Sequence, residues 1–295
     1  MSMLPHENIP LGKVHVDVIQ LLQQNPDLKT DTLSIVFLKN NPCGFGSTMT
    51  MILLNAYYLA SINPKLICLP LFCHNTVHFK YHDTTLNNSF FLYFKYTHDL
   101  EDISKYKLYF VDVPSVPGEN IVHKIPPMLY SPNDAIINYF RRNFTLCIGS
   151  DVIQYINDIK SSCTPLVGIH MRSLAQKRAH HPEYCSISMS QRIKALKDTI
   201  QQTTPEYQIY IATDVHQYID AAKQVFGPVH YLSDISRIHN EGDSIPQLND
   251  VGFKLGSDIL RECLALSLCD VIYVSSSNIP FLISMLNPAC KMIEY

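Results

Sequence analysis

Val167-Gly168-Ile169-His170-Met171-Arg172 is a short apolar run that closes on His-x-Arg, and its reading decides the fold. An uncharged stretch of this length, stopped by a charge, describes a buried strand. In open α/β sheets the carboxyl end of such a strand is where ligand-binding groups collect. Side chains alternate along a strand, so His170 and Arg172, two apart, share one side. A guanidinium there suits a pyrophosphate, because its fork donates two parallel charge-assisted hydrogen bonds to phosphate oxygens. An ion-pairing residue at a strand end is the competing reading, and the strand alone leaves both open.

Working outward, the downstream chain alternates cleanly. A helix is predicted over Ser190 to Gln202, a strand over Gln208 to Thr213 and a helix over Val215 to Phe226. A short strand at Val229 to Leu232 leads into an irregular stretch ending near Gly252. A helix over Ser257 to Leu268, the strand Val271 to Val274 and a helix over Ile279 to Leu286 complete this half. Upstream, Leu33 to Leu38 reads as a buried strand and Asn41-Pro-Cys-Gly-Phe-Gly-Ser47 as a glycine loop before a helix over Thr48 to Ala60. Leu66 to Phe72 and Leu108 to Val113 are further strands, and Phe90 to Phe94 is strand or core. The proline-rich stretch from 113 to 132 is a long loop. Asn133 or Asp134 opens a helix to Phe144, and another reaches Ile159. Alternating strands and helices predict a parallel sheet. A hinge-like Ser161 to Pro165 splits the α/β chain into two Rossmann-like domains, 1–160 and 161–295, facing each other across a cleft.

Composition narrows the function classes. The chain has 295 residues, 46% hydrophobic and only 17% charged, which implies a large core and a plain surface. A net charge of -3 argues against nucleic acid as the partner. The nine cysteines cannot all pair within the chain, and Cys68, Cys147 and Cys263 sit in apolar runs, as reduced buried thiols do. No CxxC pair with a matching partner suggests zinc. Met1 to Pro10 lacks the pattern of a signal peptide, and the apolar run at Met51 to Ala60 is broken by Asn55. The expectation is a soluble, cytoplasmic protein without a transmembrane segment.

Several clusters could carry chemistry. Gly44-x-Gly46 between strand and helix resembles a phosphate-cradling turn, yet it lacks the third glycine of the dinucleotide fingerprint and the lysine of a P-loop. Ser275-Ser276-Ser277-Asn278 offers hydroxyl and N–H donors at a helix start, where plain capping explains one such residue better than four. Glu262 on its helix could accept two N–H groups from a guanine edge, or be a face residue beside Arg261. Asp214 ends a strand, and capping of the following helix is the simpler account. Lys177-Arg178-Ala-His180-His181-Pro-Glu183 is either an ordinary loop or a source of acid/base groups.

Cys43-Gly-Phe-Gly46, Gly168-Ile-His170-Met-Arg172, Tyr210-Ile-Ala-Thr-Asp214 and Asp258 through Asn278 occur in an order that resembles the fucosyltransferase superfamily. That superfamily includes α-1,6-fucosyltransferases, the rhizobial nodulation fucosyltransferase and protein O-fucosyltransferases. The resemblance covers about 35 to 60 and 165 to 288. It implies a GT-B fold, a nucleotide-sugar donor held mainly by the C-terminal domain, and no metal or other cofactor. Arg172 would hold the donor pyrophosphate and be essential. His170 would lie along the donor, Glu262 would read guanine, and Ser275, Ser276 and Ser277 would contact phosphate. Gly44, Phe45 and Gly46 would line the donor side, with Asp214 in the same donor-binding set. The chain departs from the family at Ser173, where many members carry a second arginine, and it shows none of the anchors or paired cysteines of secreted members.

The resulting expectation is an inverting, metal-independent transfer of fucose from GDP-fucose to a hydroxyl of a glycan acceptor, as in a compact bacterial or viral enzyme. Glu183 is the candidate base, with His180 or His181 as substitutes. Another donor such as UDP-xylose, or a non-catalytic nucleotide- or glycan-binding module on the same fold, are the alternatives. A Rossmann oxidoreductase is disfavoured by the missing third glycine and ribose-binding acid.

Overall fold

A computed structural model describes residues 16–30, 34–40, 45–71, 90–98, 100, 103–113, 134–160, 164–173, 188–240, 253–275 and 277–295. The chain divides into two compact units, Met1–Cys147 and Ile148–Tyr295.

In the first unit, α1 (Val16–Gln24) precedes β1 (Ser34–Asn40), α2 (Phe45–Ile62) and β2 (Ile67–Leu71). A helical turn, α3 (Phe90–Tyr93), runs straight into β3 (Phe94–Tyr96), and β4 (Lys107–Val113), α4 (Asp134–Asn143) and β5 (Phe144–Leu146) follow. Strands β2, β1 and β4 form a parallel sheet in that order, with β1 central. Pro70 is accommodated because β2 is an edge strand. Helix α2 is apolar nearly all round and is correspondingly buried. Its inward polar residues are satisfied within the helix: Thr50 Oγ1 donates to Gly46 O at 2.8 Å and Asn55 Nδ2 to Met51 O at 2.8 Å. The Phe90–Phe94 segment belongs to the core, with Phe90, Tyr93 and Phe94 buried, and strand begins only at Phe94. Its first turn is helical and its end pairs antiparallel with β5, because Phe90, Phe94, Phe140 and Phe144 gather into one aromatic cluster.

The second unit begins with α5 (Ser150–Lys160), then β6 (Leu166–Met171), α6 (Met189–Thr203), β7 (Gln208–Thr213) and α7 (His216–Phe226). Then come α8 (Phe253–Ser267), β8 (Val271–Val274), α9 (Ile279–Leu286) and β9 (Lys291–Glu294). The boundary between the two compact units thus lies after Cys147, ahead of α5. Helix α5 is tied to later elements: Arg261 reaches Asp151 at 2.5 Å, and Lys160 Nζ meets Asp270 Oδ1 at 2.6 Å.

The four strands are parallel in the order β7-β6-β8-β9. Every residue of β6 is buried, as expected for a central strand covered on both faces. Val167, Ile169 and Met171 face a core built with Ile193, Leu196 and Ile200 of α6 and Tyr218 and Ile219 of α7. Gly168 faces α8, whose end approaches so closely that an added Cβ would lie 2.9 Å from Cys269 Sγ and 3.0 Å from Leu266. Helix α6 opens with a reciprocal capping box between Ser188 and Gln191. Val229–Leu232 forms no strand and makes one bridge, His230 to Tyr210. Of the three cysteines read as buried, Cys68 and Cys263 are, whereas Cys147 is exposed just past β5. Among the described residues no helix is long and apolar enough to cross a membrane.

Candidate functional site

Strand register alone gathers the site. His170 pairs across the sheet with Ala212 on one side and Val274 on the other. The residues that leave these strands, Arg172 with Ser173, Asp214 and Ser275, are therefore neighbours along one carboxyl edge. Parallel strands make this inevitable, since all of their ends point the same way. A small recess opens there. His170, Arg172, Thr213 and Asp214 line it from the strand ends, Ile259, Glu262 and Cys263 from α8, and Ile279 from α9.

His170 is buried, and its Nδ1 lies 3.3 Å from Ser275 Oγ. Its carbonyl accepts from the Tyr295 hydroxyl at 3.1 Å. The imidazole is thus anchored to the strand that ends in the serine run. Ser277 Oγ accepts from Ile279 N at 3.2 Å, a local hydroxyl turn that leads into α9.

Asp214 does not cap α7. The N-cap position belongs to Val215, which makes no side-chain cap, and Asp214 Oδ1 instead accepts from Ser173 N at 3.0 Å. This crosses from the end of β7 to the end of β6 and holds the turn that carries Arg172. Among the described residues, Asp214 Oδ2 and Ser173 Oγ are buried without a hydrogen-bond partner. Orphaned polar atoms of this kind are uncommon in protein interiors and concentrate hydrogen-bonding capacity at the recess.

Glu262 is neither a solvated face residue nor a partner of Arg261. Arg261 turns outward to Asp151 and Asp234. Glu262 Oε1 accepts from Arg237 Nη2 at 2.7 Å, with both side chains largely buried. Burial pushes the Glu262 carboxyl up to about 7. Arg237 opposes that rise, while the negative charge of Asp214 adds to it.

Arg237 is the functional-site neighbour that the sequence did not disclose, because it sits in a stretch read as irregular. Its guanidinium is fixed by three carbonyls: Nε donates to Thr213 O at 3.1 Å, and Nη1 to Leu232 O at 2.7 Å and Ile235 O at 3.3 Å. Helix α8 pins the same segment through Asp258, which accepts from Ser236 N at 2.9 Å. One signal could have found it: a carboxylate on an inward helix face demands a cation nearby.

His170, Arg172, Asp214, Glu262 and Ser275 are thus assembled at the carboxyl edge of one sheet, with Ser277 at the start of α9. Phe45 and Gly46 open α2 of the other unit. Gly44, Ser276, Glu183, His180 and His181 lie outside the described residues. Among the described residues no three metal-ligating side chains converge.

The α/β architecture with its parallel sheets matches the fold of a solved GT-B enzyme, the fucosyltransferase NodZ. Two solved structures of the α-1,6-fucosyltransferase NodZ, one soaked with GDP-fucose and one co-crystallised with GDP, superpose with a TM-score of 0.52 at 15% identity. Each match covers 89% of this chain and 95% of that one. A structure of fucosyltransferase NodZ from Bradyrhizobium matches with a TM-score of 0.50 at 15% identity, over 88% and 95% of the two chains. No protein-family model matches the sequence, and neither does any curated protein. The likeness resides in the fold.

Proposed function

We propose that this protein is a glycosyltransferase that moves fucose from GDP-fucose to a glycan hydroxyl with inversion and without a metal ion. The observation that carries this reading is the recess itself. It places a guanidinium and a buried carboxylate at the carboxyl edge of a sheet whose fold matches structures holding GDP and GDP-fucose.

The acceptor oxygen attacks the anomeric carbon from the face opposite the diphosphate, and the bond from that carbon to the phosphate oxygen breaks. Positive charge grows on the sugar ring and negative charge on the leaving GDP. Arg172, fixed by the end of β6, meets that growing negative charge with parallel N–H donors in a poorly hydrated recess. Glu262 accepts N–H groups of the guanine edge, and His170 with Ser275 borders the path between base and phosphate. The acceptor proton leaves to a base, for which Glu183 is the candidate and His180 or His181 the substitutes.

A panel of nucleotide sugars with EDTA present, read by nucleotide release, tests this directly. GDP-fucose should be turned over with a glycan acceptor. Release of UDP from UDP-xylose instead would reassign the donor, and dependence on added metal would remove the metal-free mechanism.

A further inference from the structure

We infer that Arg237 is a specificity-determining positioning residue, which from behind the recess wall keeps the Glu262 carboxylate charged and aimed to accept N–H groups from a guanine edge. This rests on the nucleotide-sugar reading above and concerns how the same site selects its base.

Arg237 is not among the residues lining the recess, so it acts through Glu262. Its three carbonyl bonds set the plane of the guanidinium before the carboxylate meets it. Tyr231 adds an aromatic face 5.7 Å from the guanidinium carbon. A carboxylate has about four lone-pair sites. One bond to Arg237 and a backbone bond at Thr213 leave acceptor capacity for a ligand.

The charge state decides what that capacity recognises. An ionised carboxylate only accepts, which matches adjacent N–H donors of guanine and opposes a base edge that presents an acceptor. A neutral carboxyl donates at one oxygen and loses that discrimination. Among the described residues, the charged and titratable groups around Glu262 are Arg237, Tyr210 of β7 and Asp214 just past it, His170 and Arg172 at the end of β6, and its own neighbour Cys263. Burial and Asp214 both favour the neutral form, and Arg237 is the partner that opposes them at hydrogen-bonding distance. Removing it leaves the buried carboxylate with only the Thr213 backbone bond in its favour, and it protonates more readily.

The test is GDP and UDP binding by calorimetry between pH 6 and pH 8.5 for wild type, Arg237→Gln, Arg237→Lys and Glu262→Gln. In Arg237→Gln, GDP binding should weaken about fivefold at pH 7, the loss of ionised fraction for a one-unit rise, and recover towards pH 8.5. UDP binding should not change. Arg237→Lys keeps a cation and should stay within about twofold of wild type, although it forfeits the fork. Glu262→Gln should bind GDP weakly with no pH dependence. A Gln variant parallel to wild type at every pH, or a Lys variant as impaired as the Gln variant, would mean that Arg237 only braces the backbone, and overturns the inference. If Arg237→Gln does not fold, Arg237→Met is the second neutral variant with the same expected profile. A wild type that binds no GDP overturns the nucleotide reading and this inference with it. A wild type that binds GDP with unshifted variants overturns this inference alone.

Discussion

Arg172 owes its position to β6, and its chemistry to the fork of its side chain. Arg172→Ala should abolish transfer, and Arg172→Lys should recover little, because one ammonium cannot make two parallel bonds to the diphosphate. The measurement is kcat/KM for donor, and substantial activity in the Lys variant would remove the clamp role. Glu262 carries a stability signature as well. Its folded-state carboxyl lies above its ordinary value, so the folded protein holds the proton more tightly than the unfolded chain. That contribution is fully present below about pH 4.5 and is lost as pH rises through about 7. The partly buried imidazole of His230, lowered by desolvation, works in the opposite sense over part of the same range. The melting temperature of wild type minus that of Glu262→Gln, followed from pH 5 to pH 8, isolates the carboxyl and should fall with pH. A flat difference would place the Glu262 carboxyl at its ordinary value.

At the scale of elements, β6, β7 and β8 were legible because each is a short apolar run between helices of amphipathic period. Helix α8 was legible too, although it begins at Phe253, one turn before the residue where the apolar repeat becomes plain. Strands β5 and β9 were not. Strand β9 is half-exposed, with exposed residues at both ends, and β5 has three residues whose pairing depends on an aromatic cluster distant in sequence. The site divides in the same way. Arg172, His170 and Asp214 could be read because a strand end fixes where they point. The Arg237–Glu262 pair could not, since it joins residues 25 apart through an irregular segment, and no local period encodes such a contact. Gly168 marks where the two descriptions meet, as a glycine inside a strand signals a close approach. Gly168→Ala should cost about 1–3 kcal/mol through overpacking against Cys269 and Leu266. Chemical denaturation would check it, and a restoring effect of Cys269→Ala would identify the crowded contact.

For the whole molecule, the division at Cys147 has a direct consequence. His170, Arg172, Asp214, Glu262, Ser275 and Ser277 all belong to Ile148–Tyr295, a unit with its own sheet and core. A fragment spanning 148–295 should melt cooperatively and bind GDP, while glycan transfer should need the full chain. Failure of the folded fragment to bind GDP would show that the donor site draws essential contacts from 1–147.

Asp214 Oδ2 and Ser173 Oγ, two of the four buried side-chain atoms without a hydrogen-bond partner among the described residues, sit at adjoining strand ends and weaken the fold there. Each unmet polar group costs about 1–3 kcal/mol. A compound that supplies the missing hydrogen bonds returns part of that cost, so the heat resistance of the protein becomes a reporter of chemical fit. Sugars and nucleotides could be ranked by how far they protect the fold, with no acceptor in hand and no reaction to follow.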